Sequence, residues 1–296
     1  MGGVRPTISD KRRTFARLHA SGCFVLPNPW DVGSARFLDS LGFKALATTS
    51  SGFAWSRGYS DGGPPRDLVL AHLRELVEAT DLPVNADFED GHAADARAVA
   101  ENVRLAIETG VAGISIEDST GDPAAPLYDL DTAVARLGAA RSAIDRAGGD
   151  ALLVGRAECF LCGRPDLAET IARLKRYASV GADCLYAPGL RTREQIAAVV
   201  ESVAPKPVNL LIGWATDLSV EDVAALGVRR ISVGGALARS AWAGFMAAAR
   251  LLATQGRFDG FAAAASGQEL DRFFAEGPWR ASMKLRPRAP GGGGRA

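Results

Sequence analysis

Short apolar, β-branched runs alternate along most of the chain with longer segments whose apolar residues recur every three or four positions. Eight runs of the first kind stand out, at 23–27, 45–50, 83–88, 113–118, 152–158, 184–188, 207–212 and 230–234. Between them the longer spacing predicts helices over 31–41, 66–79, 94–109, 130–147, 166–180, 192–203 and 219–226, with two more over 239–256 and 268–276. The pairs Gly42-Phe43, Gly110-Val111, Gly181-Ala182 and Gly227-Val228 each lead from a helix into a strand, as glycine stops do. A helix after every strand makes the strands parallel with right-handed crossovers. Eight such units predict an α/β protein, a closed (β/α)8 TIM barrel with extra C-terminal helices. A doubly wound open sheet is the alternative, and the lack of Gly-x-Gly-x-x-Gly after the first strand counts against it.

At 296 residues the chain has the usual size of one such barrel. The pattern predicts a single domain over 1–277, and a tail over 278–296 whose glycine run cannot bury enough to order itself. Hydrophobic residues make up 47% of the chain, enough for a sizeable core. Thirty-four basic and thirty-four acidic residues cancel, which argues against nucleic acid or an anionic membrane and leaves a small molecule as partner. No apolar run approaches the roughly 20 residues that span a bilayer, and the opening MGGVRPTISDKRR lacks a signal-peptide core. The expected location is the cytoplasm. Cys23, Cys159, Cys162 and Cys184 suit a reducing compartment. The C-x-x-C at 159–162 has no second pair and no thioredoxin-like setting, so it reads as packed thiols.

In a barrel of this kind the chemistry sits at the carboxyl ends of the strands. The third run ends Asn85-Ala86-Asp87-Phe88, and period-two alternation puts Asn85 and Asp87 on one face. The fourth ends in Glu117 and the fifth in Arg156-Ala157-Glu158. Carboxylates on neighbouring strands, ~5 Å apart, repel unless a positive charge lies between them. Either Mg²⁺ or an ion pair with Arg156 satisfies that need. Thr48-Thr49-Ser50-Ser51-Gly52 after the second run forms a small-residue turn able to offer backbone N–H groups to a carboxylate.

The segments VLPNPWDVGSARFLDSLGFKALATTSSGFAWSRGYSDGG, PVNADFEDG, GISIED and LLVGRAE, in that order, resemble the isocitrate lyase/phosphoenolpyruvate mutase superfamily. The likeness runs from about 22 to 235. It implies a modified barrel that binds Mg²⁺, or Mn²⁺, and a 2-oxo or 2-hydroxy acid. Such enzymes make or break C–C or P–C bonds through a pyruvate enolate-like state. The resemblance assigns Asp87, Glu117 and Asn85 to the metal, and Ser50, Ser51, Gly52 and Arg156 to the substrate. Asn209, on the seventh run, is counted with the substrate-binding residues. Arg156, Glu158 and Asp61, the acidic residue of the loop after the second strand, are the catalytic candidates, with Tyr59 and Ser119 as further acid–base candidates.

Two departures narrow the activity. Asn85 stands where the family's D-x-D has its first aspartate. After the fourth strand the chain reads Asp118-Ser119-Thr120-Gly121-Asp122-Pro123, where the isocitrate lyases carry K-K-C-G-H with a cysteine acid, and it lacks the asparagine-bearing segment of the phosphonate mutases. The expectation is a Mg²⁺-dependent carbon–carbon lyase or decarboxylase of a 2-oxo or 2-hydroxy dicarboxylate. A P–C mutase or hydrolase of phosphonopyruvate type and a non-catalytic metabolite-binding barrel are the alternatives. The glycine-containing segment 56–65 reads as a loop able to close over substrate. His92 reads as a solvated loop residue, His19 and His72 as helix residues, and Trp30 and Trp55 as pocket walls. The apolar helices after Gly235 predict a homodimer or homotetramer.

Overall fold

The computed structural model describes residues 5–277. Eight parallel strands form one sheet in the order β1-β8-β7-β6-β5-β4-β3-β2. They are β1 (Phe24–Leu26), β2 (Leu46–Ala47), β3 (Val84–Asp87), β4 (Gly113–Glu117), β5 (Leu152–Arg156), β6 (Cys184–Tyr186), β7 (Val208–Leu211) and β8 (Arg230–Ser232). β1 pairs with β8, and Ala47 N–H donates to Pro27 O at 3.1 Å, so the free edges of β1 and β2 meet. The sheet is thus a (β/α)8 TIM barrel. The tail predicted over 278–296 lies outside the described residues.

The helices are α1 (Ile8–Ala20), α2 (Val32–Ser40), α3 (Ser50–Ser56), α4 (Arg66–Ala79), α5 (Ala96–Glu108), α6 (Leu130–Arg146), α7 (Leu167–Ser179), α8 (Arg193–Val203), α9 (Val220–Ala225), α10 (Ala236–Gln255) and α11 (Gly267–Glu276). Asp31, Asp95, Asp129, Asp166, Thr192 and Ser219 cap the N-termini of α2, α5, α6, α7, α8 and α9 through their side-chain oxygens. Gly42, Gly110, Gly181 and Gly227 all take φ between +84° and +100°, which lets the chain reverse from helix into strand without a Cβ penalty.

The alternation along the strands sets the two sides of the barrel wall. Val84, Ala86, Ile114, Ile116, Leu153, Leu185, Leu210 and Ile231 face outward into one large core with α4–α9. Asn85, Asp87, Ser115, Arg156, Tyr186, Arg230 and Ser232 face inward, on the walls of a cavity. The interior is therefore polar at most of its levels.

Two elements differ from the sequence reading. α1 was expected only around His19, not over its full extent; its buried positions are Lys11, Arg12, Phe15 and His19, so charge masks the helical stripe. The cations bond helix ends: Lys11 Nζ donates to Val77 O and Thr80 O at the end of α4, and Arg12 to Ile107 O in the last turn of α5. Phe15 packs with Phe24, Ala47 and Ala112, closing the floor of the barrel. The run at 45–50 also does not stay extended, since Thr49 accepts from Gly52 N–H and starts α3 at Ser50. α10 buries only Ala238, and Trp242, Phe245, Met246 and Leu252 remain exposed along it. Among the described residues no helix is long and apolar enough to cross a membrane.

Candidate active site

Asp87 ends β3, Glu117 ends β4 and Arg156 ends β5. Register pairs Glu117 with Arg156 directly across the two strands. Arg156 Nη1 lies 3.2 Å from Asp87 Oδ1 and 3.1 Å from Glu117 Oε2, and Arg156 Nε donates to Glu158. Its guanidinium also lies 5.0 Å from the Tyr186 ring centre. Burial works against the Arg156 charge, but Glu117, Glu158 and Asp87 hold its pKa well above the ordinary value. Burial raises the carboxyls of Glu117 and Glu158, with Arg156 partly offsetting it.

Asp87 is positioned by its neighbours. Its backbone N–H donates to Thr48 Oγ1 at 2.8 Å, and its Oδ2 accepts from Ser50 N–H at 3.0 Å. The small-residue turn thus holds a carboxylate of the protein itself. Gly52 N–H is taken by Thr49 Oγ1 as Ser50 N–H is by Asp87, which leaves the amide of Ser51 as the one in this turn able to meet a ligand. Gly52 is still constrained by space: a Cβ there would lie 2.8 Å from Thr49 Cγ2.

Asp61, Glu89, His92 and Glu117 line an outer groove of about 710 Å³ at the barrel mouth. Burial in the cleft, and then Asp87, raise the Asp61 carboxyl. Glu89 is pushed up to about 8, by burial first and then by Asp87, Asp61 and Asp90. It was not singled out from sequence; the signal was a carboxylate two residues past a strand end. His92 is not the solvated loop residue expected. Its Nε2 lies 3.3 Å from Glu89 Oε2, its ring meets Phe88 edge-on, and burial lowers its pKa. Glu89 and His92 take φ of 50° and 51°, the left-handed values that turn both side chains back toward the groove.

A smaller cavity of about 170 Å³ continues inward, lined among others by Asp61, Asp87, Ser115, Arg156, Tyr186 and Arg230. Three expected site residues lie differently from their assigned roles. Asn85 Oδ1 accepts from Arg230 Nη1 at 3.3 Å while its amide nitrogen donates to Ser115 Oγ, so the oxygen that was to meet a metal faces a cation. Asn209 is 1% exposed and bonds Arg230 and Ser232 behind the cavity wall. Glu158 is 4% exposed and sits behind Arg156, where it orients the guanidinium. Trp30 packs over Gly52, and Trp55 lines a groove against Trp242 on the outside of the barrel.

Asp118, one residue past β4, is 2% exposed and points away from the cavity. Its carboxylate accepts from Glu158 N–H at 2.8 Å, Arg173 Nη1 at 3.0 Å and Tyr177 Oη at 2.5 Å. Its carbonyl accepts from Tyr128 N–H at 2.9 Å. The segment between is pinned to itself by a Ser119–Leu127 bridge and by Thr120 N–H on Pro126 O.

Among the described residues no three His, Cys, Asp or Glu side chains converge as a ready-made metal cage. The donor set nevertheless fits a small hard cation. Asp61, Asp87, Glu89, Glu117 and Glu158 crowd around one guanidinium, and burial and mutual repulsion raise several of them. Mg²⁺ takes one or two protein carboxylates and keeps several waters, so Asp87 and Glu117 suffice as its protein ligands.

Known proteins share this architecture. The family model described as phosphoenolpyruvate phosphomutase matches residues 15–253. A solved structure of a candidate lyase/mutase from Burkholderia cenocepacia J2315 is similar at 46% identity and a TM-score of 0.86, over 90% of this chain and 96% of that one. A structure of 2,3-dimethylmalate lyase is similar at 27% identity and a TM-score of 0.80, over 94% of this chain and 97% of that one. Oxaloacetate decarboxylase of Paraburkholderia xenovorans (strain LB400) is 30% identical over 243 residues, 77% of this chain and 76% of the relative. With its barrel, its strand-end carboxylates and these relatives, the chain belongs to the phosphoenolpyruvate phosphomutase family, among the lyases and mutases of the PEP mutase/isocitrate lyase superfamily.

Proposed function

We propose that the enzyme is a Mg²⁺-dependent carbon–carbon lyase of a 2-oxo or 2-hydroxy dicarboxylic acid, with decarboxylation of oxaloacetate as the first reaction to test. The observation that carries this reading is the pair Asp87 and Glu117 at the ends of adjacent strands, with Arg156 Nη1 within 3.2 Å of both. The oxaloacetate decarboxylase relatives support the substrate class. Asp87 and Glu117 would hold the cation. When bound, it supplies Lewis-acid stabilisation of the charge that develops on the substrate's keto oxygen.

This chain's own residues supply the rest. In decarboxylation the bond from C3 to its carboxylate breaks, CO₂ leaves, the electron pair passes into the enolate, and C3 then takes up a proton. Arg156 presents a fixed cation at the cavity wall, and Glu158 and Tyr186 hold its plane. Ser50 and Thr48 keep Asp87 aimed at the mouth. Asp61 lines both the outer groove and the inner cavity, which places it to move the proton. We also propose a homodimer or homotetramer, because α10 leaves its large apolar side chains uncovered by its own barrel.

The test is pyruvate release from oxaloacetate, 2-hydroxy dicarboxylates and phosphonopyruvate, measured above the enzyme-free rate with and without Mg²⁺. Turnover of a dicarboxylate that needs the metal, and an Asp87→Ala protein that loses both turnover and the Mg²⁺-induced rise in Tm, is the expected result. Turnover of phosphonopyruvate alone, or no response to Mg²⁺ in any assay, refutes the reading.

A further inference from the structure

Two arginines line the inner cavity, and their surroundings are opposite. Arg156 is saturated by Asp87, Glu117 and Glu158. Arg230, at the start of β8, is 2% exposed and has no carboxylate within 4.0 Å among the described residues. Its partners are neutral: Nε donates to Asn209 Oδ1 at 2.8 Å, and Nη1 lies 3.3 Å from Asn85 Oδ1 and 3.4 Å from His19 Nε2. His19 Nδ1 sits 2.8 Å from Phe15 O, so that nitrogen carries the proton and Nε2 turns a lone pair to the arginine. Burial and the Arg230 charge keep His19 neutral, with its pKa lowered to about 3. Among the described residues no hydrogen bond reaches the second terminal nitrogen, Nη2.

A buried guanidinium held only by neutral groups is costly unless an anion reaches it. Burial lowers the Arg230 pKa, with Cys184 and Tyr186 partly offsetting it, and Nη2 is the nitrogen left without a partner among the described residues. The cavity it lines is about 170 Å³, room for a ligand of a few heavy atoms, and opens outward past Ser115 and Tyr186 to Asp87 and Arg156. At the mouth Arg156 is committed to three carboxylates and Arg66 to Asp67 and Asn102, so Arg230 is the cation of this cavity without a carboxylate partner.

We infer that Arg230 is a substrate-recognition residue: the cavity takes a dicarboxylate, with one carboxylate seated on Arg230 Nη2 at its floor. This rests on the substrate class proposed above and adds the group that distinguishes a dicarboxylate from a monocarboxylate. With Nε and Nη1 committed to neutral partners, the carboxylate meets the arginine at Nη2 through a charge-assisted hydrogen bond.

The experiment is calorimetric titration of the Mg²⁺-loaded protein with succinate, malonate, pyruvate and chloride, in wild type, Arg230→Met and Asn209→Asp. Asn209→Asp is nearly isosteric and puts a carboxylate 2.8 Å from Arg230 Nε, so it occupies the arginine without emptying the core. In both variants dicarboxylate affinity should fall at least tenfold while pyruvate affinity changes less than threefold. The Asn209 variant decides the matter if Arg230→Met does not fold. Dicarboxylate binding unchanged in Asn209→Asp overturns the inference. So does an Arg230-dependent chloride site that dicarboxylates do not displace, which would make the residue a holder of an inorganic anion. Wild type that turns over oxaloacetate with a KM insensitive to Asn209→Asp defeats this inference and leaves the proposed function standing. Arg230-dependent dicarboxylate binding without any turnover does the reverse.

Discussion

Replacing Glu89 by Gln tests the charge crowding at the barrel mouth. Glu89 has its pKa raised from 4.5 to about 8, so folding favours its protonated form. A carboxyl with a raised folded-state pKa costs stability once pH exceeds the unfolded value, and the cost grows until the folded pKa is passed. Stability contributed at this position therefore falls as pH rises from 4.5 to about 8. The gap corresponds to a ceiling of about 5 kcal/mol. The side chain is 17% exposed, so water and counter-ions reduce the penalty, and we expect a gain of roughly 2–3 kcal/mol from Gln at pH 8. At pH 4.5 the two proteins should differ little. The assay is urea unfolding across this range in chelator, at constant ionic strength, with wild type and variant side by side. The raised carboxyls of Asp61, Glu117 and Glu158 are common to both proteins, so they largely cancel in the difference. A stability difference independent of pH would refute the reasoning, because an uncharged contact of Glu89 would then account for it.

Two further outcomes follow from features already described. Cys23, Cys159, Cys162 and Cys184 are free thiols whose pKa values burial raises, so replacing all four by Ala or Ser should leave turnover within about tenfold, measured as pyruvate release. Light scattering at micromolar concentration should show a species at a multiple of the 31.0 kDa chain mass; a monomer would contradict the uncovered face of α10.

The barrel was readable because parallel strands covered by helices are apolar on the outside and because glycine marks four of the returns from helix to strand. Gly42, Gly110, Gly181 and Gly227 adopt the positive φ that the recurring phrase implied. The extent of α1 beyond His19 escaped because Lys11 and Arg12 occupy buried positions, where they bond carbonyls at the ends of other helices. No local pattern reveals such a partner. At the site, Asp87, Glu117 and Arg156 were legible from their places at strand ends, and the structure brings them together. The roles of Asn85 and Asn209 were not, since both are decided by Arg230, which lies on a different strand from either. Arg230 itself left one trace, a charge inside an otherwise apolar strand run. That position marked it as the start of the eighth run, and nothing local says that no carboxylate meets it. His92 and Glu89 depended on a left-handed backbone at non-glycine positions, which sequence rarely discloses.

Asp118 has a consequence for how this scaffold diversifies. One carboxylate fastens the backbone N–H of Glu158 and the side chains of Arg173 and Tyr177 behind the site, and the same residue's carbonyl fastens the N–H of Tyr128. The stretch 119–127 is therefore a cassette slung between two fixed posts, with its own internal bridge and, beyond it, the Cys162 thiol on Ser119 and Pro126 and the buried side chain of Leu127. This is the stretch where the chain departs from the lyase motif. Its replacement leaves the strand ends, the guanidinium and the acidic pair where they were. Such a scaffold can exchange one reaction's accessory groups for another's without re-founding its core. Grafts confined to these nine residues are accordingly the economical route to altering what the barrel does to a bound acid.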